Sequence, residues 1–164
     1  MENYIVINGK RAELTEEQLK QLGIVPKKKS CFERCESYGQ YYYITYAGIV
    51  VSDNEQNTDV DATFYENANY CTDKIIMKQR ALHETLDRLL WRFSMENNGD
   101  KLDWSTYNPK YYIYFDYKEH KIKISYMNQY KTGMTVHFYS KEIAERAIDE
   151  IIKPFMKEHP EFVW

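Results

Sequence analysis

One part of this 164-residue sequence is rich in carboxylates and contains no basic side chain. Residues 35–73 include seven Asp or Glu and no Lys, Arg or His, so their charge is −7 while the rest of the chain carries +4. Side-chain oxygens at short intervals can bind calcium, here with the spacing Asp53-x-Glu55-x3-Asp59-x-Asp61. This spacing lacks the central glycine and the final glutamate of an EF-hand loop. A solvated loop, or an acidic surface for a basic partner, is the more typical use.

Tyrosines precede these acids. The chain contains 16 tyrosines, and Tyr41 and Tyr43 fall on the same face of a predicted strand. Tyrosine offers a large ring with a polar tip, which suits protein interfaces. The sequence therefore predicts a partner-binding surface formed by Tyr41, Tyr43, Asp53, Glu55, Asp59, Asp61 and Glu66.

A second candidate surface combines lysines with aromatic residues between positions 110 and 127. Bases of single-stranded nucleic acid could stack on the tyrosines while lysines contact phosphates. The candidate lysines are Lys110, Lys118, Lys121 and Lys123. An isoelectric point near 5.8 favours the alternative, in which the tyrosines pack under helices and the lysines are solvated.

Catalytic and metal-binding patterns are incomplete. His83-Glu84 begins a helical zinc-protease motif, but Asp87 stands where the second histidine ligand is required. Cys31, Cys35 and Cys71 are odd in number and lack the paired spacing of a zinc site. No nucleophile elbow or phosphate-binding glycine loop occurs. We therefore expect ordinary thiols, no metal, no cofactor and no enzymatic activity.

The longest predicted element is a helix over residues 72–97, with Thr72 as its N-cap. Apolar residues recur along it at three- and four-residue steps, beginning with Ile75. A final helix follows Ser140 and should kink or end at Pro154. The residues predicted to be buried on these two helices are Leu82, Leu86, Leu89, Phe93, Ala147, Ile148 and Ile151.

Alternating aromatic and β-branched residues predict hairpins on both sides of the long helix. The first occupies residues 40–52 and turns at Ala47-Gly48; the second pairs residues 110–117 with 121–127. A further strand is expected from Met134 to Tyr139. Each hairpin precedes a capped helix, which indicates a ββ(β)α duplication. The predicted fold class is α+β, with both repeats sharing one antiparallel sheet.

The N-terminal segment has its own pattern. Asn8-Gly9 predicts a tight hairpin, and Thr15 with Gln18 has the spacing of a capping box. We therefore expect a small hairpin and helix over residues 1–24, joined by the Lys27–Lys29 connector to a main domain at 31–164. The two parts should form one compact unit. No apolar run is long enough to span a membrane and no signal peptide is evident, which predicts a cytoplasmic protein.

Several stretches resemble a group of small uncharacterised proteins encoded by phages and prophages of gut Firmicutes. They are INGKRAELTEEQLKQLG (7–23), CFER (31–34), YYYI (41–44), ANYCTDK (68–74), RALHETLDRLLWRFSMEN (80–97), FYSKEIAERAI (138–148) and KPFMKEHPEFVW (153–164). This chain departs from the group at Cys31, where proline is usual, and at Gly39-Gln40, where Gly-Glu is usual. The resemblance covers most of the chain and carries no functional residues with it.

The resemblance implies a biological setting, that of a phage or prophage in a bacterial host. Small acidic phage proteins often inhibit bacterial defence systems, CRISPR nucleases among them, by occupying a basic nucleic-acid groove. We therefore expect a non-enzymatic interaction protein of the anti-CRISPR or a related anti-defence type, acting on a protein in the bacterial host cytoplasm. The alternative is a nucleic-acid-binding accessory protein that uses the hairpin at 110–127.

Overall fold

The computed structural model describes residues 4–23, 30–128 and 135–164. The chain forms two compact units, Met1–Glu33 and Arg34–Trp164. The predicted Lys27–Lys29 connector lies outside the described residues.

The first unit contains a hairpin and a short helix. Strands β1 (Tyr4–Ile7) and β2 (Lys10–Glu13) are antiparallel, and Ile7 pairs with Lys10. Asn8 and Gly9 both have positive φ, 52° and 76°, as a two-residue turn with the twist of its strands requires. Helix α1 (Glu16–Gln21) follows. The predicted capping box is confirmed, because the Thr15 amide donates to Gln18 Oε1 at 2.8 Å and the Gln18 amide to Thr15 Oγ1 at 3.3 Å.

The second unit contains two hairpins and the longer helices, which confirms the predicted α+β class. In chain order the elements are β3 (Gln40–Ile44), β4 (Val50–Asn54), α2 (Asp59–Glu66), α3 (Lys74–Asn98), β5 (Lys110–Asp116), β6 (Lys121–Met127), α4 (Lys141–Ala147) and α5 (Lys153–Glu158). Within the described residues no helix is both long and apolar enough to cross a bilayer.

The expectation of one shared sheet is wrong. Hairpins β3–β4 and β5–β6 form separate two-stranded sheets, each extended by a single bridge, Tyr42 to Cys71 and Tyr111 to Phe138. The strand predicted from Met134 to Tyr139 is reduced to the Phe138 bridge in its described part. In each repeat the helix cap follows the bridge by two residues, so the pairing cannot extend past the bridge toward the helix. The predicted order of hairpin, third segment and helix is present in the second repeat, whereas in the first repeat α2 lies between the hairpin and the Cys71 bridge.

The N-cap of α3 is Asp73, so the assignment of Thr72 is wrong. The Asp73 carboxylate accepts bonds from the amides of Ile75 and Ile76 at 2.8 and 3.2 Å. A carboxylate satisfies two orphan donors at once and carries the charge that complements a helix N-terminus. This explains why the aspartate displaces the neighbouring hydroxyl.

The core lies where α3 and α4 meet the β5–β6 hairpin. Of the seven residues predicted to be buried, Leu86, Phe93 and Ala147 are fully buried and the other four are partly buried against them. None is exposed, so this prediction is confirmed. Ile75, in contrast, is 73% exposed, because the first turns of α3 bury Met77 and Ala81 instead.

The final helix does not end at Pro154. A π turn over Ile148–Ile152 separates α4 from α5, and the helical backbone continues to Glu158. Pro154 then stands in the first turn of α5, where its missing amide donor breaks few bonds. The chain beyond α5 docks on α3: Gln79 bonds both Glu161 O and Val163 N, at 2.6 and 2.9 Å.

Candidate functional site

Asp61 organises the loop between β4 and α2. Its Oδ2 accepts the amides of Gln56 and Thr58 at 3.1 and 2.9 Å, together with the Thr58 hydroxyl at 2.8 Å. Its Oδ1 accepts the Tyr41 hydroxyl at 2.7 Å. These bonds, that of Tyr41 first, hold the pKa of Asp61 well below its ordinary value. Burial of the ring and the bond to this carboxylate raise the pKa of Tyr41.

Glu55 fixes the other side of this loop. Its side chain is fully buried and accepts Arg34 Nε and Nη2, both at 2.9 Å. The Asn57 amide and the Tyr70 hydroxyl complete four hydrogen bonds at 2.8 and 3.1 Å. The Arg34 bonds are the main reason that the pKa of Glu55 lies below its ordinary value. Four donors leave this carboxylate no capacity for a partner.

These contacts correct the predicted acidic surface. Tyr41, Glu55 and Asp61 are at most 4% exposed, so the premise that they form a contact surface is wrong. The two carboxylates are buried because several local amides need an acceptor, and the Tyr41 hydroxyl donates to Asp61. Tyr43 is half-buried and stacks on Phe64 of α2 at 4.1 Å. Helix α2 itself was missed by the sequence analysis, although Thr58-x-x-Asp61 has capping-box spacing.

Three predicted acids do remain exposed, namely Asp53, Asp59 and Glu66. None makes an ion pair with a residue that the structure describes. Asp59 and Glu66 are seven residues apart on α2 and share its outer stripe. Asp53 pairs across the hairpin with Tyr41, whose ring lies on the α2 side, so its side chain points to that side too. The three exposed acids therefore lie on α2 and on the face of the β3–β4 hairpin that packs against α2.

Exposed tyrosines accompany these acids. Tyr46 at the hairpin tip is fully exposed, and Tyr65 on α2 is 40% exposed. Tyr38 is 82% exposed, although its φ of 65° is a conformation that bulky side chains rarely adopt. Its amide donates to the carbonyl of Glu55 at 2.6 Å, which holds the backbone in place. Because Tyr46 lies at the opposite end of the hairpin from Tyr38, we name Tyr38, Tyr65, Asp53, Asp59 and Glu66 the acidic tyrosine surface.

Two of the four lysines of the predicted nucleic-acid-binding surface are engaged in contacts within the protein. Lys110 is buried; its ammonium donates to Thr106 O at 2.6 Å and lies 5.5 Å from the centre of the Trp104 ring. Lys123 forms ion pairs with Asp116 and Glu119 at 2.8 and 2.6 Å, which raise its pKa. Only Lys118 and Lys121 of the four predicted lysines remain exposed and without an ion pair in the described part of the chain.

Cys35 and His83, the candidate catalytic groups, both contact other parts of the protein. Cys35 Sγ lies 2.7 Å from the Tyr70 hydroxyl and 3.1 Å from Gly39 O. His83 Nε2 lies 2.9 Å from Val163 O, and its ring packs on Phe162. Among the described residues, no three His, Cys, Asp or Glu side chains are grouped so as to hold a metal ion.

A groove of about 370 Å³ lies between α3 and β5. Its apolar lining includes Leu86, Leu90 and Ile113, and aromatic side chains stand at its walls. Asp87 also lines it, and partial burial raises the pKa of this carboxyl group. In the sequence Asp87 stands out only as the position where a metal ligand is missing, because nothing in the local pattern shows that β5 lies opposite this part of α3.

Comparison of the chain with family models, with curated proteins and with solved structures gave no match in any of the three searches. The description of the candidate sites therefore rests on the contacts, burial and charges of this structure alone.

Proposed function

We propose that the chain is a non-enzymatic, phage-borne inhibitor that binds a basic surface of a host defence protein. The acidic tyrosine surface is the binding element, and the partner is a CRISPR nuclease or a related nucleic-acid-handling enzyme in the bacterial cytoplasm. Carboxylates replace the phosphates that such a groove normally binds, and the tyrosines supply contact area once the proteins dock.

The observation that carries this proposal is the conformation of Tyr38. A tyrosine held at φ 65° costs free energy, of order 1 kcal/mol or more, yet its ring is almost wholly exposed and packs little against its own protein. Such a cost is typical of residues retained for contact with something else. The buried bonds of Glu55 hold the loop that presents this ring.

Charge supports the same conclusion. Asp53, Asp59 and Glu66 lie in a segment without basic residues and are not neutralised within the described part of the chain. Unpaired acids of one sign accelerate encounter with a positively charged groove. The resemblance to phage and prophage proteins agrees with a host defence target. The candidate catalytic groups Cys35 and His83 are engaged in internal contacts, which agrees with binding rather than catalysis.

The experiment adds the purified protein to purified CRISPR nucleases from Firmicutes and measures guide-directed DNA cleavage. We expect inhibition of at least one nuclease, relieved when target DNA is added first. The decisive variant is Tyr38→Asn, because asparagine tolerates positive φ and removes the ring. It should keep or raise the unfolding temperature while inhibition falls, whereas Tyr107→Asn, at an exposed tyrosine elsewhere, should leave inhibition unchanged.

Two outcomes would contradict the proposal. The first is that no nuclease is inhibited or bound; the second is that Tyr38→Asn inhibits as well as the parent. A gel-shift arm with single- and double-stranded DNA and RNA at low salt tests the alternative partner. Direct binding that weakens in the Lys118→Ala, Lys121→Ala double variant and falls steeply with salt would favour a nucleic-acid-binding protein instead.

A further inference from the structure

The groove between α3 and β5 contains a carboxyl group that lacks a partner. Asp87 makes no hydrogen bond and no ion pair with any residue in the described part of the chain. Its titratable neighbours on α3 are His83, four residues before it, and Glu84, three residues before it. Glu84 is engaged with Arg80 at 2.8 Å, and Arg88 is directed to Thr85 Oγ1 at 3.1 Å. No described lysine or arginine therefore pairs with Asp87.

The walls of this groove are aromatic and held in place. Tyr114, Phe115 and Trp164 line it, and the Trp164 ring lies 6.0 Å from that of Phe115. The carbonyl of Trp164 accepts a bond from the Tyr117 hydroxyl. Aromatic faces beside a carboxylate form the environment that attracts an organic cation with an apolar stem.

The protein already holds a polypeptide segment beside this groove. Side chains of α3 bind the main chain of residues 161–163: Gln79 bonds on both sides of Phe162, and His83 lies against Val163 O. Phe162 is buried and packs on Phe155. These contacts occupy Gln79 and His83 and leave the Asp87 end of the groove open.

We infer that the open part of the groove receives an arginine side chain of the partner protein, with the guanidinium on Asp87 and the methylene groups on Phe115 and Trp164, whose rings lie side by side. Arginine fits better than lysine, because its guanidinium is planar, weakly hydrated and able both to stack on rings and to pair with a carboxylate through two bonds. The inference rests on the proposed function, since it names a feature of the same basic partner.

The test is a titration with the blocked tripeptide acetyl-Gly-Arg-Gly-amide, followed by the NMR signals of the three tryptophan indoles. We expect the Trp164 signal to shift and saturate, while Trp104, which packs on His137, serves as an internal reference. The matched ligand contains citrulline, which has the same shape without the charge. It should bind roughly tenfold more weakly, the loss expected for a charge-assisted contact.

The variants assign the contact. Asp87→Asn should weaken binding of the arginine peptide roughly tenfold and leave binding of the citrulline peptide unchanged. Phe115→Leu should weaken both peptides, and Glu96→Gln, an exposed acid elsewhere on α3, should change neither. Equal binding of the two peptides to the parent protein would overturn the inference, and so would a shift that omits Trp164. The parent comparison needs no variant to fold.

Failure of this inference is distinguishable from failure of the proposed function. If the peptide does not bind but the nuclease is inhibited, the arginine site is wrong and the acidic tyrosine surface stands. If the peptide binds but no nuclease is inhibited or bound, the proposed target is wrong. Neutralising Asp53, Asp59 and Glu66 should leave the peptide titration unchanged, because these residues do not line the groove.

Discussion

Replacing Glu55 by glutamine should destabilise the protein strongly, although the side chain lies in the acidic segment. The carboxylate accepts four hydrogen bonds, two of them from the Arg34 guanidinium. Glutamine has one acceptor oxygen, and its amide group would face donors instead of acceptors. Removing one partner of a fully buried pair costs about 3–5 kcal/mol. Since the Arg34 side chain is 33% exposed, we expect the lower end, about 3 kcal/mol.

Chemical denaturation measures this loss as a change in the free energy of unfolding. A loss of about 3 kcal/mol corresponds to a fall of about 6–12 °C in unfolding temperature for a chain of this length. The matched control is Asp53→Asn, an exposed acid two residues away, whose effect should stay within about 0.5 kcal/mol. If the two variants lose equal stability, the structural role assigned to Glu55 is refuted.

Acid titration of the same pair tests the electrostatic origin. The pKa of Glu55 is lowered in the folded protein, so its contribution is complete above the unfolded pKa of about 4.3 and is lost as the pH falls through the folded value. The stability difference between the parent and Glu55→Gln should therefore shrink on acidification below about pH 4. A difference that is constant with pH would show that packing, and not the charged pair, accounts for the loss.

The remaining predictions concern the helices and the hairpin turn, and denaturation checks each. Leu86→Ala should cost about 2–5 kcal/mol because the side chain is buried in the core; a cost below 1 kcal/mol would contradict this position. Asp73→Ala should cost about 1 kcal/mol, and Thr72→Ala less; the reverse order would restore Thr72 as the cap. Gly48→Ala should cost about 1–3 kcal/mol, because φ is 79° and the new Cβ would lie 3.1 Å from Arg88 Nη2.

The local elements could be predicted from the sequence because their signals are local. Asn8-Gly9 sets the twist of its hairpin, and regular apolar spacing places Leu86 and Phe93 in the core. The error at the cap of α3 and the contradicted alternative that the last helix ends at Pro154 are also local. They arose because two adjacent capping residues compete and because a π turn changes the position of the proline in the helix.

The candidate site was less predictable, because composition does not distinguish a buried carboxylate from an exposed one. Glu55 and Asp59 look alike in an acidic segment, yet Arg34, 21 residues earlier in the sequence, buries the first. The conformation of Tyr38 could not be predicted, because a Tyr-Gly dipeptide carries no sequence signal for positive φ at the tyrosine. The Asp87 groove depends on β5 lying opposite α3, which no local pattern encodes.

The central claim is that exposed acids of one surface drive association with a basic partner. The direct measurement is the association rate with an inhibited nuclease at several salt concentrations. It compares two triple variants with the same change in charge. The test variant is Asp53→Asn, Asp59→Asn and Glu66→Gln, and the control, at exposed acids elsewhere, is Glu96→Gln, Asp100→Asn and Glu158→Gln.

Neither variant alters the bonded carboxylates of Glu55 and Asp61, so both proteins should unfold like the parent. At low salt the test variant should associate roughly tenfold more slowly than the control variant, and its rate should depend less on salt. Equal rates and equal salt dependence in the two variants would contradict the claim, because only net charge, and not this surface, would then guide the encounter.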